Sequence, residues 1–209
     1  NEPLKRMPRD WDQTRAKSAI RRLEARRALV SDSDFTSGVW RVTQATRAGS
    51  AEEVACIADP FAYVSHLSAM QRYGLSDRSP QALHLTTPKR DRWNALRSER
   101  ALRDLPEVQR LESPILNRPG FRDTIRRRPV VVHVSSHPWT PSRVSGEETR
   151  ITSIGQTFAD MLTEPSLCGG MHHVLDVWEN EASQWVQEIA AAIDQLDVKI
   201  VKVRAGYIL

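Results

Sequence analysis

Histidines, cysteines and isolated acids are the residues to test first for chemistry, and their spacing in this chain argues against a reaction centre. His133 and His137, in HVSSH, stand four apart, a spacing that on a helix would turn two imidazoles toward one zinc ion. Here they fall at a strand end and the loop after it, where the spacing gives no common face. His172 and His173 are adjacent and point apart on a helix. Cys56 and Cys168 are far apart without metal-ligand spacing, and read as two buried, reduced thiols. A metal-dependent nuclease needs carboxylates, usually with a lysine, converging at a strand end to hold the ion and activate water. Asp160 is the best lone acid, but it follows Thr157 on a helix, where a capping or internal hydrogen bond is its plainer role. Asp197, two before Lys199, imitates part of a nuclease signature without a second acid. The patterns GxxxxGK[ST], GxSxG and GxGxxG are absent, so nucleotide and acyl chemistry have no visible machinery. The expectation is a protein that is not an enzyme, with no metal and no cofactor.

Phosphate recognition is a different chemistry, and for it the pattern is informative. The net charge of +4 is unevenly spread: +5 over residues 1–50, −2 over 51–80, +6 over 81–128 and −5 over 129–209. Basic blocks gain free energy on nucleic acid by displacing counterions from phosphates, so the acidic final block should face elsewhere. From Asp12 to Leu29 the chain is rich in helix formers, with Asp10 or Asp12 placed to cap it. At about 100° per residue, Ala16, Ala19, Ile20 and Leu23 share one side, and Thr14, Arg15, Ser18, Arg21, Arg22 and Arg26 the other. Lys17 adds to the cationic set. Ala28–Val30, the polar turn SDSDFTSG and an alternating run, Gly38–Thr43, then read as a hairpin.

Helix followed by hairpin is the layout of a winged helix, in which the cationic helix enters the major groove. Its first turns then face base edges and its later arginines hold phosphates. Asp32 and Asp34 in the presumed wing turn would repel phosphate, so the wing is expected to meet a groove edge through Thr36 and Ser37, with Arg41 on its second strand. Only LKRM precedes the helix, and an earlier helix of the motif is expected to lie outside this sequence. Lys89, Arg90, Arg92, Arg126, Arg127 and Arg128 form a second basic set that would extend the footprint on nucleic acid. A triple arginine before a strand also serves as a solvated edge guard.

The elements that must position these residues follow from caps and periodicity. QATRAGSAEE, from Gln44, reads as a linker or a frayed helix start, placing a boundary between segments 1–46 and 51–209. Asp59 as cap and Pro60 at the first helical position predict a helix carrying Phe61, Val64, Leu67, Ser68 and Gln71 and closed by Gly74. Ala82–Thr87 alternates as a strand ended by Pro88. Lys89–Asp104 is a helical or loop excursion anchored by Trp93 and Leu96. A β-branched run ending at Ser153 feeds a short helix with Phe158, Met161 and Leu162 on one side, stopped by Pro165 and Gly169-Gly170. Val174, Leu175, Trp178, Trp185, Ile189 and Ile193 recur at helical spacing in the tail. No run of about 18 apolar residues and no leader pattern occur, so the expectation is a cytoplasmic chain without a membrane span.

Four segments in order, GVWRV, AYVSHLSAMQRYGL, GQTFADML with its following GG, and RAGYIL, resemble the AbiEi antitoxin family, transcriptional regulators of viral defence systems. The resemblance implies an α/β (α+β) chain: a partial N-terminal winged helix-turn-helix over 1–46, followed by a mixed α/β antitoxin domain over 51–209. It further implies a type IV toxin–antitoxin operon. The N-terminal part would bind double-stranded promoter DNA and repress it, and the C-terminal part would counter a nucleotidyltransferase-like toxin that it need not touch. Gln156 stands where the family pattern leads one to expect an acid, and the arginine-rich middle is longer and more basic. A plain winged-helix regulator with a sensing C-terminal domain is the second reading, and a nuclease-like enzyme the third.

Overall fold

A computed structural model describes residues 13–44, 49–104 and 116–208. The fold is mixed α/β. Helix α1, Gln13–Ala25, is followed by the strands β1, Leu29–Ser31, and β2, Trp40–Val42, paired antiparallel with Leu29 opposite Val42 and Ser31 opposite Trp40. The expected order of helix and hairpin is therefore present. The expected capping by Asp10 or Asp12 lies outside the described residues, as do the side chains of Thr14, Arg15 and Ala16.

The segment between β1 and β2 is not a free wing tip. Arg126 donates to Asp32 Oδ1 and Oδ2 at 3.1 and 2.8 Å and also to Asp34. The two acids expected to repel phosphate are thus neutralised inside the protein, and the Arg126 guanidinium holds the Asp32 carboxyl below its ordinary range. Phe35 is 3% exposed and packs in one core cluster with Val64, Leu83, Leu85, Ile125 and Ile151. Thr36, expected at a groove edge, donates its backbone N–H to the Gly120 carbonyl at 2.8 Å. A Cβ on Gly120 would stand 2.0 Å from Thr36 Oγ1, so glycine is what permits this approach. Ser37 stays exposed. Phe35 therefore belongs by sequence to the 1–46 segment and by packing to the core of the unit that follows.

Helix α2, Ala51–Ala58, starts with a reciprocal cap: Glu53 N–H donates to Ser50 Oγ at 3.1 Å, and Ser50 N–H to Glu53 Oε2 at 3.2 Å. The expected helix from Asp59 to Gly74 is corrected here. Asp59 ends α2 instead of opening a helix, and its buried carboxylate accepts from Phe61 N–H, Thr87 Oγ1 and Trp93 Nε1 at 3.0, 2.8 and 2.9 Å. Strand β3, Tyr63–Val64, follows, and only His66–Arg72 is helical, as α3. Strand pairing on both sides of Tyr63-Val64, together with the turn-forming Asp59 side chain, outweighs the local helical spacing.

Strand β4, Leu83–Pro88, runs antiparallel to β3 and parallel to β6, Arg128–Ser135. Because β4 is a central strand, both of its faces are covered and the expected alternation gives way to near-continuous burial. Helix α4, Arg90–Asp104, is anchored by Trp93, which is 1% exposed. Strands β5, Thr124–Ile125, β7, Ser142–Arg143, and β8, Arg150–Ile151, complete a six-stranded sheet of order β5-β6-β4-β3-β8-β7. Arg126 and Arg127 form the two-residue loop between β5 and β6, with φ of 51° and 66°. Such primed turns normally take Asn-Gly; here the ion pairs of Arg126 hold the geometry.

Helix α5, Ile154–Thr163, opens with a reciprocal cap between Ser153 and Gln156. Gln156 thus supplies the side-chain acceptor that an acid would supply at that position. The expected apolar side is present: Phe158, Met161 and Leu162 are fully buried, and Phe158 meets Trp178 edge-on at 5.3 Å between ring centroids. Helices α6, Met171–Glu181, α7, Val186–Asp194, and α8, Lys199–Ile208, close a second core with Val174, Trp178, Ile189, Ile193 and Val201. Leu175, expected among the packing residues, is instead 42% exposed. Gly155 sits where α5 meets α7, and a Cβ there would lie 2.0 Å from the Glu188 carbonyl oxygen. Among the described residues no helix is long and apolar enough to cross a membrane.

Candidate nucleic-acid interface and a histidine cluster

The outward side of α1 is set by how little of the helix is covered. Ala19 and Ile20 are half-buried and Leu23 is 41% exposed, so the apolar side packs only in part. Trp40 Nε1 donates to Glu24 Oε1 at 2.7 Å, fastening the hairpin to the helix. Lys17, Ser18, Arg21, Arg22 and Arg26 are all exposed, as is Arg41 on β2. Among the described residues none of these cations is ion-paired with a carboxylate. These cations are open to an external anion, and Ser18 adds a short hydroxyl between them.

The second basic set does not form one patch. Lys89, Arg90 and Arg92 stand at the far end of β4, where Pro88 is opposite Ser135, whereas Arg126–Arg128 stand at the start of β6. The intervening strand spans roughly 23 Å at about 3.3 Å per residue. Arg126 is committed to Asp32 and Asp34, Arg128 donates to Glu52 Oε1 at 2.7 Å, and Arg92 pairs with Glu99 at 3.3 Å. Arg126 and Arg128 thus serve as internal ties, with part of each side chain exposed. Lys89, Arg90 and Arg127 remain exposed.

The tertiary structure also gathers residues that their sequence positions keep far apart. His66 opens α3, His84 lies on β4, and His133 lies on β6 opposite Thr86. His84 and Thr86, two apart on one strand, share a face, so His84 and His133 meet diagonally, with His84 Nδ1 and His133 Nε2 3.0 Å apart. His66 Nδ1 lies 2.8 Å from Ser65 Oγ, which in turn lies 2.8 Å from Thr86 Oγ1. His66 Nε2 is 3.3 Å from Glu164 Oε2, at the end of α5. Burial, then the neighbouring imidazoles, push His66 down to about 3, and burial first of all lowers His84 and His133. His66 holds φ of 52°, a left-handed conformation costing on the order of 1 kcal/mol for a non-glycine residue.

Asp160, one turn before Glu164, accepts from Trp139 Nε1 at 2.8 Å, while its Oδ2 is buried without a hydrogen-bond partner among the described residues. Desolvation pushes its carboxyl up to about 7. The expected internal hydrogen bond of Asp160 is present. Thr157 is not its partner, being bonded to Thr152 Oγ1 and the Ser153 carbonyl, each at 2.9 Å. His137 stays outside the cluster in the loop after β6, its backbone N–H on Ser135 Oγ at 3.1 Å. His173 pairs with Ser76 Oγ at 2.8 Å, away from its exposed neighbour His172. Both cysteines are free and buried.

Local spacing could not have found the histidine cluster, because its members are 18 and 49 residues apart in sequence. The signal that existed was alternation in VVVHVSS and QALHLTTP, which puts one histidine per strand on a face shared with polar Thr86. Compared with known proteins, the chain matches no family model and no curated protein.

Proposed function

We propose that this protein is a DNA-binding transcriptional regulator that acts as the antitoxin of a toxin–antitoxin operon, of the AbiEi type that four of its segments resemble. The observation that carries this reading is the outward face of α1: Lys17, Arg21, Arg22 and Arg26 are exposed cations without carboxylate partners among the described residues. A helix bearing such a face, with a hairpin directly after it, suits major-groove entry with arginines on phosphates. The loop between β1 and β2, held by Phe35 and Arg126, supports a fixed orientation of the hairpin on the α/β unit. The α/β unit would then counter a nucleotidyltransferase-like toxin, without requiring a stable complex with it.

A reporter driven by the DNA upstream of this gene tests the reading. Wild-type protein should repress it, and a Lys17, Arg21, Arg22 and Arg26 to alanine variant of equal abundance should not. In the same cells, expression of an adjacent gene of nucleotidyltransferase type should be tolerated with the protein and toxic without it. Repression that survives the quadruple substitution would remove α1 from DNA recognition, and absence of rescue would remove the antitoxin role.

A further inference from the structure

We propose that His66, His84 and His133 form a binding site for one first-row divalent cation, zinc by preference, with Glu164 on its open side. The candidate donor atoms of the three rings all lie within 4.8 Å of one another. Ligands held by zinc at about 2.0–2.1 Å in a tetrahedron stand about 3.3 Å apart. The His84 Nδ1 to His133 Nε2 separation is 3.0 Å, and the His66 Nε2 to Glu164 Oε2 separation is 3.3 Å. The His84–His133 separation is thus close to one edge of such a polyhedron, Glu164 lies beside His66, and the ring centroids, 4.7, 5.3 and 6.2 Å apart, bring the three imidazoles together from three separate elements.

The supporting shell has the form that ligating histidines use. His66 Nδ1 and Ser65 Oγ lie 2.8 Å apart, and Ser65 Oγ lies 2.8 Å from Thr86 Oγ1; with Nδ1–H donating to that hydroxyl, the Nε2 lone pair would be left for the metal. Ser68 Oγ accepts the His84 backbone N–H at 2.9 Å, tying α3 to β4. Imidazole donors with one carboxylate select zinc and its neighbours over magnesium and calcium, which prefer all-oxygen sites. Glu164, more than half exposed, is placed to complete the set or to accept from a bound water.

Cobalt(II) titration of the full chain, chelator-stripped and free of any histidine tag, tests the site. One equivalent should bind with the intense visible bands of a tetrahedral centre and be displaced by zinc. His84→Ala and His133→Ala, shown to be folded by circular dichroism, should each lose at least about 100-fold in affinity, and Ser65→Ala about 10- to 100-fold with the stoichiometry unchanged. His137→Ala and His172→Ala should bind as wild type does. Absence of stoichiometric cobalt uptake by the folded wild-type chain would overturn the proposal. So would equal uptake by the His84 and His133 variants, which would locate the metal elsewhere on the surface.

Discussion

Replacing Phe35 by alanine tests whether the loop between β1 and β2 is part of the α/β core. The ring is 3% exposed, tilts against Phe121 at 5.7 Å between centroids, and lies in the cluster of Val64, Leu83, Leu85 and Ile125. Truncating a fully buried phenylalanine costs about 3–5 kcal/mol, the sum of lost transfer energy and the residual cavity. Arg126→Ala removes the other fastening and leaves Asp32, whose side chain is 4% exposed, charged without its ion-pair partner and held by the Asp34 N–H at 3.1 Å. A fully buried pair broken in this way costs about 3–5 kcal/mol; because the Arg126 side chain is 23% exposed, about 2–3 kcal/mol is expected. That deficit depends on pH with a definite sign. Arg126 holds the Asp32 carboxyl below its ordinary value of 3.8, so its contribution is present above that value and is lost as pH falls through the folded-state pKa. The wild-type advantage over Arg126→Ala should therefore shrink below about pH 4. Urea denaturation at pH 7 and pH 3.5, followed by far-ultraviolet circular dichroism, measures both effects. A Phe35→Ala loss under about 1 kcal/mol would refute the packing argument. So would a separate early transition that leaves the main midpoint unchanged.

Two other substitutions bear on the frame of the sheet and helices. Asp59→Ala should destabilise by about 3 kcal/mol, because it orphans Trp93 Nε1 and Thr87 Oγ1 in the core, with Asp59→Asn recovering part of the loss in the same denaturation assay. Gly155→Ala should cost about 1–3 kcal/mol in thermal unfolding, since its Cβ would lie 2.0 Å from the backbone oxygen of Glu188 and α5 would have to move off α7.

What the sequence made legible is what local spacing determines. The apolar side of α5 and its end near Pro165 follow from residues within one or two turns of each other, and Ser153 with Gln156 forms a cap of purely local origin. The order of α1 and its hairpin follows from a cationic helical stripe and an alternating run. Local spacing shows only that Asp59 can cap a helix, because its partners, Thr87 and Trp93, are 28 and 34 residues away. Tyr63-Val64 reads as helix from its neighbours in sequence and becomes strand through its neighbours in space, β4 and β8. The triple arginine looked like one surface feature. Its members diverge because a two-residue turn sends Arg126 to Asp32 and Asp34 and Arg128 to Glu52. The histidine cluster depends on the parallel register of β4 and β6, which periodicity within each strand does not contain.

Fluorescence anisotropy on the duplex upstream of the gene, and on an unrelated duplex of equal length, tests the DNA-binding claim most directly. Wild-type and Lys17, Arg21, Arg22, Arg26 to alanine proteins should be compared across a series of salt concentrations. Each phosphate neutralised contributes about 0.9 to the slope of log affinity against log salt, so loss of four such contacts should flatten the slope by up to about 3–4. Weakened binding to both duplexes with this flattening is the predicted result. Equal affinity and an equal salt slope for the two proteins would contradict the assignment of α1 to DNA.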